Sequence, residues 1–301
     1  APRWTSFLKT NELNYTLLPN LQFKNVVEST SPFQLKKSFA QKYKALPQTT
    51  LSLLYFEFNM SDSTIGYHKD PIQNERNKAL RCAIRKTFDW QKKISSRFMG
   101  LGKPFAGIIP PNVEGYSPDL PQSSIKVDIE GAKKLLKQYN WTPKNLPPIT
   151  YTGVANIMTQ QDFDQFRSWL QKIGYPKEKV LLKTFAHFGD YWQNVLSNKL
   201  QTHSSLAWFL DYPDASNLLQ LYYGPNRSPG ANHSNYNNPK YDRLFEKINL
   251  TNNRVQRMDL VKQANQILID DCVVIAGYSK PLVHIWHKET IMHPAEGAVI
   301  G

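Results

Sequence analysis

The chain has 301 residues, 41% of them hydrophobic and 20% charged, which is enough apolar material for a full core and excludes a disordered polymer. No run of about 18 apolar residues occurs, which excludes a membrane-spanning helix, and Ala1-Pro2-Arg3-Trp4 lacks the parts of a signal peptide, leaving a mature secreted protein, a cytosolic protein and an excised fragment open. The 37 Lys and Arg against 24 Asp and Glu give a net charge of +13, but basic residues come singly or in pairs such as Lys36-Lys37, Lys92-Lys93 and Lys133-Lys134. That spacing favours a solvated basic surface over a nucleic-acid or membrane stripe.

Trp4, Phe7 and Leu8 open the chain with a short apolar pattern, followed by an expected strand at Leu13 to Leu18 and a helix from Pro32 to Tyr43. Thr50 to Asn59, TLSLLYFEFN, is a strand by its aromatic density, ending at a polar loop, Ser61 to Asp70. Asn74 is the expected cap of the next helix, whose stripe is Leu80, Ala83, Ile84, Thr87 and Phe88, and Asp89 starts a second helix. Gly100 to Pro121 is rich in Gly and Pro but carries Phe105, Ile108, Ile109 and Tyr116, so it reads as an ordered loop. Asp128 caps a helix with Ala132, Leu135, Leu136 and Tyr139 on one face. Strand Ile149 to Asn156, helix Gln161 to Ile173 and strand Val180 to Phe185 then make a unit of the α/β kind.

A helix from Asp190 to Leu200 leads to AWFLDYPDASN, Ala207 to Asn217, around which the rest is organised. A buried strand, Ser205 to Leu210, is stopped by Pro213 and delivers Asp211 and Asp214 beside Trp208 and Tyr212. Strand ends are where α/β sheets place ligands, and a carboxylate among aromatic rings suits an ammonium group. The competing reading is structural: Asp214 caps the helix Ala215 to Leu221 and Asp211 caps the turn. An acid and base pair of a hydrolase is a remote third reading, because the two carboxylates share one turn. Asn238-Pro239 and Asn252 or Asn253 start the last two helices, and strands Cys272 to Tyr278 and Leu282 to Trp286 close the chain. Cys82 and Cys272 are too few and too far apart for a zinc ribbon or CxxC pair, and whether they form a disulfide is open.

In this order the blocks resemble the oligopeptide, dipeptide and nickel group of extracellular solute-binding proteins, family 5, which serve ATP-driven importers. YFEFN and NERNKALRCAIRKTFDWQKKI are similar to the family's strand, loop and helix, with Thr87-Phe88-Asp89-Trp90 where the family has A-I-D-R. GLGKPFAGIIPPNVEGY and DIEGAKKLLKQYNW resemble its Gly-Pro loop and following helix. Most specific is SLAWFLDYPDASNLL before NHSNYNNPKYDRLFEKI, although Ala215 stands where the family often has Pro.

The resemblance implies an α/β, type II periplasmic-binding-protein-like lobe with a mixed sheet flanked by helices, and remnants of a second lobe at both chain ends. It divides the chain into 1–50 as a remnant of the proximal lobe, 51–277 as the distal lobe and 278–301 as the return strand, a fragment of a longer protein. It also implies a non-enzymatic, monomeric binder of a peptide or other small solute, which passes ligand to the transmembrane subunits of an importer. No cofactor and no nucleic acid enter this picture. The setting would be periplasmic or extracellular, with any membrane anchor in the part before Ala1. The implied ligand contacts are Trp208, Phe209, Leu210 and Asp211, with Asp211 pairing a terminal ammonium and the backbone of Phe209 and Leu210 meeting an extended peptide. Because the wider family includes nickel and haem binders, a metal chelate or haem is the alternative ligand. His284, His287 and His293 invite a metal reading, but positions three apart on a strand point to opposite faces, so a surface pair is expected instead.

Overall fold

The computed structural model describes residues 2–10 and 12–290. From the N-terminus come α1 (Pro2–Lys9), β1 (Tyr15–Leu17), α2 (Phe23–Val26), β2 (Val27–Thr30), β3 (Phe33–Leu35), α3 (Lys37–Ala40), β4 (Tyr43–Thr49) and β5 (Ser52–Phe58). Three helices follow, α4 (Pro71–Arg85), α5 (Trp90–Phe98) and α6 (Ile129–Gln138), before the alternation β6 (Ile149–Val154), α7 (Ile157–Gln171), β7 (Val180–Phe185), α8 (Phe188–Leu196) and β8 (Thr202–Phe209). The chain closes with α9 (Ser216–Leu219), α10 (Pro239–Leu250), α11 (Arg254–Asp271), β9 (Val274–Tyr278) and β10 (Pro281–His287). No helix among the described residues is long and apolar enough to cross a membrane.

Contacts divide the chain into a first unit, Ala1–Ser52 with Trp90–Pro104 and Tyr278–Gly301, and a second, Leu53–Asp89 with Phe105–Gly277. The resemblance implies that 51–277 forms one piece, whereas by contacts Trp90–Pro104 groups with the first unit. Packing explains the difference: Phe98 on α5 meets Phe23 edge-on at 5.8 Å and Tyr278 at 6.1 Å, and Thr30 Oγ1 donates to the Met99 carbonyl at 2.8 Å. Such long-range contacts leave no local signal.

In the first unit, β1, β10 and β4 form an antiparallel sheet in that order, with Leu17, His284 and Leu46 in register. The helix expected from Pro32 to Tyr43 is not there. Phe33 to Leu35 pairs with β2, only Lys37–Ala40 coils, and Tyr43 to Thr49 pairs with β10. Sheet pairing with distant strands overrides the local helical spacing.

In the second unit, β5 lies between β8 and β9, while β6 and β7 pair in parallel from Ile149 with Val180 to Val154 with Phe185. Hydroxyl groups join these two sheets. Thr152 Oγ1 donates to the Thr202 carbonyl at 2.9 Å, the Ser204 N–H donates back to it at 3.3 Å, and Thr202 Oγ1 bonds the Thr150 carbonyl. These contacts advance together along both strands, so β6 and β8 run parallel. One face is filled by Phe56, Phe88, Phe166 and Trp169, whose neighbouring rings lie 5.2–5.8 Å apart. Each buried ring contributes about 2–3 kcal/mol by transfer from water.

Caps decide where helices begin. Asp70 rather than Asn74 caps α4, accepting the Ile72 N–H at 2.9 Å with Pro71 in the first turn, while Asn74 accepts from the His68 N–H at 3.2 Å. Asp128 caps α6 and Asn253 caps α11, as their positions imply. Asn156 caps α7, which starts at Ile157, four residues before the expected Gln161, because the Asn156 side chain accepts the Thr159 N–H at 2.9 Å. Cys82 on α4 and Cys272, the left-handed cap of α11, form a disulfide with Cα atoms 5.2 Å apart. That resolves the alternative left open by the cysteine count.

Candidate functional site

The parallel run of β6, β7 and β8 puts their C-terminal ends at one rim of the second unit. Exposed apolar side chains gather there: Ile157 opens α7, Phe188 opens α8, Phe209 ends β8, and Tyr212 follows. A soluble fold does not need such residues in water, and in α/β sheets this rim is where ligands sit.

At the end of β8 the two neighbouring carboxylates have different surroundings. Asp214 Oδ1 accepts from Arg257 Nη2 at 2.7 Å and from the Ser216 N–H at 2.8 Å. Burial works against its charge, but the guanidinium and Ser216 outweigh it and hold the carboxyl below the usual carboxylate range. The capping role expected of Asp214 is met only in part: α9 starts at Ser216 with Ala215 in the cap position, and Asp214 reaches the Ser216 N–H from one residue further back while pairing with Arg257. Asp211 is exposed, and its only hydrogen-bond partner among the described residues is Asn217, whose Nδ2 donates at 3.3 Å to one of its oxygens.

Asn217 was not singled out by sequence, yet it is 1% exposed and also accepts the Trp208 indole N–H at 2.7 Å. One buried amide therefore holds the indole and the carboxylate. A buried amide spends all its bonds on fixing neighbours, but in sequence an Asn after a turn reads as a cap. Leu210 is buried at 4% and its side chain anchors the strand end, so of the four expected contact residues only Trp208, Phe209 and Asp211 present side-chain surface.

Near the end of β5, Glu57 is a second feature without a sequence signal. Its carboxylate lies 2.8 Å from His203 Nδ1 and accepts the Tyr222 O–H at 3.1 Å, and all three residues are buried. His203 Nε2 has no partner among the described residues. Burial also lowers the basicity of His233, which the Glu57 charge partly restores. With no exposure to solvent, this cluster ties β5, β8 and the segment after α9 together rather than meeting substrate.

The histidines of β10 turn to opposite faces. His284 is held by the Tyr15 hydroxyl at 2.7 Å and Gln48 Oε1 at 2.8 Å and is buried, not on the surface as expected, and burial lowers its basicity. His287 packs between Phe7 and Tyr43 at 4.8 and 5.0 Å, and His293 lies outside the described residues. Among the described residues no three His, Cys, Asp or Glu side chains are placed to hold a metal ion.

Residues 3–230 match the family model described as bacterial extracellular solute-binding proteins, family 5 Middle. The chain is 23% identical over 237 residues to the oligopeptide-binding protein OppA of Bacillus subtilis, covering 74% of this chain and 41% of that protein. It is 25% identical over 233 residues to heme-binding protein A of Haemophilus influenzae, covering 75% of this chain and 39% of the relative. The solved structure of the periplasmic binding protein DppA from Helicobacter pylori, in complex with peptide STSA, superposes with a TM-score of 0.73 at 18% identity, over 96% of this chain and 51% of that one. The chain thus spans under half the length of these curated relatives. With the family model covering most of its length and the fold agreeing, this chain belongs to the family 5 bacterial extracellular solute-binding proteins.

Proposed function

We propose that the chain binds a solute bearing an ammonium group, most simply a peptide, and serves delivery to the membrane subunits of an ATP-driven importer without catalysing a reaction. One observation carries the reading: of the two carboxylates at the end of β8, Asp214 is neutralised by Arg257 while Asp211 stays exposed and is held in place by Asn217. An oriented carboxylate beside an indole attracts an ammonium through charge and ring face together. The apolar rim of Ile157, Phe188 and Phe209 supplies surface for side chains of the ligand. In this reading the second unit carries the site and the first belongs to the other lobe. The Cys82 to Cys272 disulfide supports a periplasmic or extracellular setting.

Calorimetric titration with a mixed pool of short free-amine peptides tests the assignment. Asp211→Asn should weaken binding by about 1.5–3 kcal/mol, the worth of a charge-assisted hydrogen bond. The same pool N-acetylated should bind the unaltered protein about as poorly. Equal affinity in all three titrations removes Asp211 from the site. The likeness to a heme-binding protein supports a second reading, a haem or metal chelate on the same apolar rim. That ligand would bind Asp211→Asn as well as the unaltered chain.

A further inference from the structure

The fold gathers cations that the sequence scatters. The first unit, under a third of the chain, holds 13 of the 37 Lys and Arg and only four of the 24 Asp and Glu, so it carries +9 of the net +13. Within it, α1, α3, the start of β4 and the end of β10 meet in one aromatic knot. Trp4 stacks on Phe7 at 5.7 Å and on Phe39 at 6.4 Å, and Phe7 and Tyr43 each pack against His287 at 4.8 and 5.0 Å. Arg3, Lys9, Lys37, Lys42, Lys44 and Lys288 flank those rings along the chain, and all six are exposed. The Lys288 N–H donates to the Lys42 carbonyl at 3.0 Å, which fixes two of these segments side by side. Glu12 and Glu289 are the acidic residues on the adjoining segments, yet none of the six cations pairs with a carboxylate among the described residues.

We propose that this basic corner of the first unit docks on an anionic phospholipid surface. Five of the six cations are lysines, hydrated point charges that respond to charge density, whereas recognition of single phosphates favours the arginine fork. Trp4 at 8%, Phe7 at 0% and Tyr43 at 8% exposure are packed inside the corner, and the half-buried Phe39 and His287 are packed against them, so the corner offers little open ring face to nucleic-acid bases. A dispersed array of lysines with little open ring face suits a plane of negative head groups. The outer face of a membrane is a surface that an extracellular bacterial family meets. This inference is independent of Asp211 and of the ligand.

Co-sedimentation of the intact chain with vesicles tests it. Vesicles of phosphatidylcholine with about one-third phosphatidylglycerol should bind the protein at low salt, vesicles of phosphatidylcholine alone should not, and high salt should release it. The triple variant Lys37→Gln, Lys42→Gln, Lys44→Gln should lose about 100-fold in vesicle affinity, near fivefold per lysine. A second triple, Lys134→Gln, Lys172→Gln, Lys199→Gln, removes the same charge from exposed positions of the second unit and should lose less than about fivefold. Circular dichroism confirms that both triples stay folded. Absence of binding to the anionic vesicles, equal binding to both lipids, or equal losses in the two triples overturns the proposal. So does binding to a duplex or single-stranded oligonucleotide that falls in the first triple and is not displaced by the anionic vesicles.

Discussion

The two units differ in how some of their charges are placed. The second pairs several: Lys78 with Asp271 at 2.9 Å, Lys86 with Asp128 at 2.6 Å and Arg257 with Asp214 at 2.7 Å, and the buried Glu57 is hydrogen-bonded to His203 at 2.8 Å. It also carries the disulfide. The first unit leaves six cations around an aromatic knot without acidic partners among the described residues. Paired charges position side chains and make the fold sensitive to their loss, while unpaired exposed charges act on whatever approaches from outside. On the two proposals above, specific recognition would belong to the second unit and long-range attraction to the first.

The largest test of that contrast removes one partner of a buried pair. Glu57→Ala strands His203 and the Tyr222 hydroxyl in the core and should cost about 3–5 kcal/mol. Hydrogen exchange should show the protection lost in β5 and β8 and retained in β4 and β10. A variant as stable as the original means the pair contributes nothing net.

Opening the disulfide comes next. Cys82 and Cys272 are 190 residues apart, so the cross-link restricts nearly all of the second unit's unfolded chain and its loss should cost about 2–5 kcal/mol. Urea unfolding with and without reductant measures it. A midpoint that does not move shows that helix packing, rather than the bridge, holds α4 to the end of α11.

The smallest effect concerns Asp214. Its carboxyl lies below the ordinary range in the folded state, so its pairing stabilises above the unfolded-state value and that stabilisation is lost as the pH falls through the folded-state value. Arg257→Ala should cost ~1–2 kcal/mol at neutral pH, allowing for partial exposure of the pair. The gap from the unaltered protein should close as the pH drops below the ordinary carboxylate range of about 4. A gap that persists in acid would mean that Arg257 acts by packing.

Much of this architecture is written in local pattern. The strand at Thr50 to Asn59, the unit from Ile149 to Phe185, the caps Asp128, Asn238 and Asn253 and the strand just before Asp211 follow from apolar period, proline and side-chain acceptors, which act within a few residues. The order of motifs also placed the chain in its family. Tertiary structure decided what depends on distant partners. It turned Pro32 to Tyr43 into strand and a single helical turn because β10 and β2 pair there, and moved Trp90–Pro104 into the first unit. It also chose between two similar aspartates by bringing Arg257 to one and Asn217 to the other, and collected cations from three chain segments into one corner. Local sequence sets the conformations a segment prefers, but the identity of a neighbour far along the chain exists only once the chain has folded, and here that neighbour fixes which charges stay free to act.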